Sequence, residues 1–88
     1  MTLRIEKVRD EGRLVIRLIG RVQAESVAAV KAEIEGAGPR PALDVQEVTL
    51  VDVEAVRFLV TCEDSGVALL HCPPYIRRWM TGERPSHA

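Results

Sequence analysis

From Arg13 to Gly20 the chain reads RLVIRLIG. Leu14, Ile16 and Leu18 fall on one side of an extended segment, and Arg13, Val15, Arg17 and Ile19 on the other. A period of two marks a strand with one face buried and one partly wet. LRIEKV, just before it, is a second β-rich run, and the DEG between them supplies Gly12, which tolerates positive φ, so the two runs are predicted to form a hairpin. The period then changes. In AESVAAVKAEIEG, Val27, Val30 and Ile34 are spaced by three and four, with Ala24, Ala28 and Ala32 nearby and Glu25, Lys31, Glu33 and Glu35 opposite, which predicts an amphipathic helix. Gly36 is expected to close it in a left-handed cap, and GAGPRP to form a loop.

ALDV reads as a short interior strand, and after QEVTL the chain is expected to turn. From Val53 the positions Val56, Leu59, Val60 and Cys62 return to helical spacing, and this second helix should stop at EDSG. VALLH is a continuous apolar strand. PPYIRRWM places Pro74 at a first helical position and aligns Ile76 with Trp79 and Met80, predicting a short third helix. The resulting fold class is α/β: a mixed four-stranded sheet in the order ββαβαβα, with helices mainly on one face. One domain over residues 1–80 is expected, followed by a mobile tail at 81–88.

Composition narrows the function. At 88 residues with one Phe, one Tyr and one Trp, the core must be small and built from Val, Leu, Ile and Ala. Twelve basic residues against 13 acidic ones leave a formal charge of −1, so no global field draws the chain to nucleic acid or anionic lipid. MTLRIEKVRDEG lacks the apolar stretch of a signal peptide and no run approaches a membrane span, so no membrane insertion and a cytoplasmic location are expected. In that reducing setting Cys62 and Cys72, ten apart and without CxxC spacing, read as core thiols.

Candidate chemistry is sparse. His71 and Cys72 are neighbours on an expected strand and so point to opposite faces, which disfavours a nucleophile–base pair, and catalysis is not expected. Cys62, His71, Cys72 and His87 match no metal-ligand spacing. Arg40, Arg77, Arg78 and Arg84 lack an accompanying aromatic stacking set and read as solvated charge rather than a nucleic-acid surface. GAGPRP has no Lys-Ser/Thr pair and is no phosphate-binding loop, so no cofactor is expected.

The acid that interrupts VTLVDVEAVRFL needs its own account. Asp52 stands where an extended segment gives way to the second helix, a position from which a carboxylate accepts hydrogen bonds from first-turn N–H groups and meets the positive end of the helix dipole. Around this residue LDVQEVTLVDVEAVRFL resembles the central segment of STAS domains, the fold shared by anti-sigma factor antagonists, where a strand leads into Asp-Ser-Ser/Thr-Gly-Leu at a helix start. IRLIGRVQAESV is similar to the family's Leu-x-Gly-Glu-Leu-Asp and first helix, and PPYIRRWM to its Ser-Pro-x-Val-x-Arg-Leu-Leu helix. With the elements between and around these segments, the resemblance extends over about 80 of the 88 residues.

The resemblance implies a non-enzymatic module that binds a regulatory protein, an anti-sigma factor or a serine kinase-like partner. Its surface would be the loop from Gly20 to Gln23 beside the second helix start, with Arg21, Gln23, Asp52, Glu54 and Arg57 as polar rim and Val53 as apolar contact. Several positions depart from the family. Val53 replaces the Ser or Thr that a partner kinase phosphorylates in many relatives, Glu54 stands where Ser, Thr or Gly is common, Ala55 where Gly is usual, and Gln23 where an Asp is. The second helix is also about one turn shorter than in sporulation-type antagonists, and relatives often continue beyond this chain's last helix, which makes docking or homodimerisation at an open sheet edge an expectation. The resemblance equally allows an accessory subunit of an ABC-type lipid-transport complex, or a scaffolding domain.

Overall fold

The structure, a computed structural model, describes residues 3–84. Its elements are β1 (Leu3–Asp10), β2 (Arg13–Val22), α1 (Ala24–Glu35), β3 (Ala42–Val51), α2 (Val53–Asp64), β4 (Ala68–Leu70) and α3 (Pro74–Glu83). The sheet runs β1-β2-β3-β4, with β1 antiparallel to β2 and the other neighbours parallel. This is the expected ββαβαβα order.

The hairpin closes through a two-residue loop, Glu11 and Gly12, between the paired Asp10 and Arg13. Both loop residues have positive φ, 51° and 84°, the conformation that matches the twist of the flanking strands and favours glycine at its second position. Gly36, by contrast, does not close α1 in the left-handed region: its φ is −87°, and the positive φ falls two residues later at Gly38, 78°. Of the residues predicted for α1's apolar face, only Val30 is fully buried, while Ala24, Ala28 and Ala32 are exposed.

The main correction concerns β3. The strand expected to be short at ALDV continues through QEVTL to Val51. Pairing with β2 shifts between Arg17 and Ile19 and again between Gly20 and Arg21, one extra β3 residue being accommodated each time. Each such bulge reverses which face the following residues occupy. Val45, Val48 and Val51, three apart, thereby all reach the core, although a regular strand would send the middle one outward. β2 likewise runs past Gly20 to Val22, and β4 ends at Leu70, so His71 leaves the sheet at a positive φ of 57° and is not on a strand face as expected.

The core joins Ile16, Leu18 and Val22 of β2 and the β3 valines to Ala55, Val56, Leu59, Val60 and Cys62 of α2, and to Ile76 and Met80 of α3. α2 is the central helix, burying five residues against the single one of α1. The opposite sheet face carries charge, where Arg17 bridges Glu6 (3.2 Å) and Glu47 (2.6 Å). Lys7, on the helix side of β1, instead pairs with Glu33 of α1 (2.9 Å).

α3 runs one turn further than PPYIRRWM, so Thr81, Gly82 and Glu83, assigned to the tail by sequence, are helical; residues 85–88 lie outside the described residues. An ionic clamp holds α3 on α2. Arg77 donates to both oxygens of Glu63 (2.7 and 3.0 Å), and Arg84 adds Glu63 (2.6 Å) and Asp64 (2.5 Å). Arg77 first, then Arg84, lowers the Glu63 carboxyl below its ordinary pKa. A lowered carboxyl pKa stabilises the fold above the unfolded-state value and loses that contribution as pH falls through the folded one. Glu63→Gln should therefore cost up to about 1 kcal/mol in urea unfolding at neutral pH, and the difference from wild type should vanish on acidification.

Candidate functional site

The last pair in the β2–β3 register is Val22 with Val51. The next residues, Gln23 and Asp52, therefore leave neighbouring parallel strands side by side, each as the extended N-cap of a helix. Without the two extra residues in β3 the second junction would lie out of step with the first. Gln23 makes no side-chain cap bond, and Asp52 serves both helices: its Oδ1 accepts from the Ala55 N–H of α2 and its Oδ2 from the Ala24 N–H of α1, each at 2.9 Å. One carboxylate thus satisfies donors from two first turns and sits near the positive ends of two dipoles. The expected cap is present and doubled.

The other residues anticipated for the site divide into two groups around α1's first turn. Glu54 and Arg57 line a groove of about 320 Å³ between α1 and α2, with Ala24, Val27, Phe58 and Thr61. Arg21 and Gln23 line a second depression, about 540 Å³, beside Leu3 and Ile5 of β1. Arg57 is already paired, with Glu83 of α3 (3.0 Å) and Glu54 (3.7 Å), and these partners raise its pKa, Glu83 most. Val53 opens α2 and is 36% exposed. Leu50, two residues before Asp52, is 44% exposed, and Tyr75 joins the same end of β3 by donating its hydroxyl to the Val48 carbonyl (3.3 Å). Neither Leu50 nor Tyr75 is among the residues anticipated for the site: the first lies beyond the short strand expected at ALDV, and the second is separated from the site by two elements.

Neither geometry nor electrostatics makes a reaction centre of the cysteines. Both thiols are free, and burial pushes Cys62 up to about 11, so it stays protonated inside the core. Cys72, half-buried, has its pKa raised chiefly by burial as well. Among the described residues no group of three His, Cys, Asp or Glu side chains could hold a metal; His87 lies outside them.

No family model and no curated protein matches the sequence. Solved structures do match. An anti-sigma factor antagonist STAS domain from Rhodobacter sphaeroides superposes with a TM-score of 0.61 at 19% identity, covering 80% of this chain and 87% of the other. The anti-sigma factor antagonist SpoIIAA in its unphosphorylated form gives 0.64 at 21%, covering 90% and 81%. The fold is that of STAS domains. Asp52 is the N-cap of α2, and no helix among the described residues is long and apolar enough to cross a membrane.

Two outcomes test the local chemistry. Asp52→Ala should lose about 2 kcal/mol in chemical denaturation, since both helix starts lose their acceptor, and Asp52→Asn about half of that, because one amide oxygen can still serve one helix. Native Cys62 should resist a thiol reagent that modifies Cys72, and stability should fall as pH rises from 9.0 towards 11, where the unfolded thiol ionises before the folded one.

Proposed function

We propose that this STAS-fold chain is a non-enzymatic protein-interaction module that binds a regulatory protein of the anti-sigma or kinase-like kind through the start of α2 and the β2–α1 corner. The supporting observation is the pairing of a fixed corner with an exposed side chain that cannot be phosphorylated. Asp52 joins the two helix starts, and Val53 projects directly after it.

In this reading Asp52 positions the surface rather than contacting the partner, because each of its oxygens already has a backbone donor. Val53 forms the apolar centre, and Arg21, Gln23 and Glu54 form the polar rim. Arg57 can meet a partner carboxylate by exchanging its bond to Glu83. An exposed apolar centre with a polar rim is the usual anatomy of such contacts.

A phosphate at position 53 would sit at a helix N-terminus, stabilising the helix while repelling an acidic partner. Valine has no hydroxyl, so the surface is constitutive. Incubation with ATP and a switch kinase should leave the mass of the 52–54 segment unchanged. In pull-downs from native extract, the wild-type chain should recover an anti-sigma or kinase-like protein, and Val53→Glu should not. Recovery of a transport ATPase instead, or equal recovery by Val53→Glu, would contradict this reading.

A further inference from the structure

Strand β1 is the outer strand of the sheet on the hairpin side, with β2 on its inner edge only. Its sequence, LRIEKVRD, carries five charges in eight residues, as edge strands often do to discourage pairing. The arrangement of these charges, however, leaves one register open.

The two-residue turn makes Asp10 and Arg13 a hydrogen-bonded pair, and pairs then alternate along the ladder. The backbone groups of Val8, Glu6 and Arg4 accordingly point towards β2, while those of Leu3, Ile5, Lys7 and Arg9 point out from the open edge. Side chains follow the same parity: Arg4 and Glu6 meet each other and Arg17 on the charged face, whereas Leu3 and Ile5 pack on the core and Lys7 meets Glu33 of α1.

Suppose that a second copy adds its β1 antiparallel to this edge by a two-fold axis perpendicular to the sheet. Outward-pointing residues must then face outward-pointing residues, so one residue of the strand must lie opposite its own counterpart on the axis. Arg4, Glu6, Lys7 or Arg9 there brings like charges directly opposite, which is destabilising. Val8 on the axis sets Lys7 against Arg9 and Glu6 against Asp10, each twice. Leu3 on the axis would use only Leu3 to Ile5 of the described strand, whereas Ile5 on the axis gives an apolar pair with no like charges opposite: Arg4 faces Glu6 of the second copy on both sides, and the aliphatic stem of Lys7 lies over its Leu3.

We infer that β1 forms a symmetric antiparallel dimer with a second copy of this chain, with Ile5 on the two-fold axis and Arg4–Glu6 ion pairs flanking it. About six main-chain hydrogen bonds would join the copies. The depression beside Leu3 and Ile5, bounded on α1 by Glu25, Ser26 and Ala29, would face its counterpart across the new ladder. The dimer does not require the regulatory partner, although the same depression also carries Arg21 and Gln23 of the proposed partner surface.

Light scattering across a concentration series should show the mass rising from 9.7 kDa towards its double. Glu6→Arg should hold the chain monomeric, and Arg4→Glu combined with Glu6→Arg should restore the dimer. Because a charge at position 6 also touches Arg17, a second measurement fixes the register: mild oxidation of Ile5→Cys should give a dimer whose disulfide maps to residue 5, while Val8→Cys should not cross-link. A mass that stays at 9.7 kDa at every concentration, or cross-linking through position 8 in preference to 5, overturns the proposal.

Discussion

A single carboxylate shared by two helix starts governs this fold. Parallel neighbours β2 and β3 end at the same level, and each hands the chain to a helix whose first N–H groups have no partner within the helix. Separate caps would satisfy each helix by itself and leave the two junctions mechanically independent. Asp52 couples them, so α1, which buries only Val30, takes its position partly from the well-anchored α2. The coupling also explains how Gln23 can occupy an N-cap without acting as one.

On the proposed function, the same constraint also sets the binding surface. A binding surface drawn from two loops is specific only if the loops hold a fixed relation, and rigid support lowers the entropic cost of docking. Here that relation depends on the β3 bulges, which add the two residues that bring Val51 level with Val22, and on the valines that anchor the bulged strand in the core. The contact side chains need then do little besides be presented. On the proposed function, a valine at position 53 offers no hydroxyl to modify while leaving the shape of such a surface intact.

Much of this was legible in the sequence because it rests on local periodicity. The alternation in RLVIRLIG, the three-and-four spacing after Val53 and the proline before Tyr75 each specify an element through short-range sterics and burial, and Asp52 announced a cap by its place at a change of period. The extended half of β3 was not legible, since valines three apart break the alternation of a strand until the partner strand supplies bulges. Nor was the second hydrogen bond of Asp52, which depends on the inter-strand register, or the pairing of Arg57 with Glu83, which depends on how α3 docks. In each case the missing information was long-range. A run of Val45, Val48 and Val51 with Gln46, Glu47 and Thr49 between them was the available clue, because β-branched residues favour strands even where their spacing is irregular.

The shared cap can be observed directly by native-state amide hydrogen exchange. First-turn amides of helices ordinarily exchange quickly, since no intrahelical carbonyl accepts from them. The account requires the Ala24 and Ala55 amides to exchange markedly more slowly than their neighbours Glu25 and Glu54, and both to slow through the same carboxylate. Exchange of Ala24 as fast as that of Glu25, with Ala55 alone protected, would show that Asp52 serves only α2 and would contradict the coupling of the two corners.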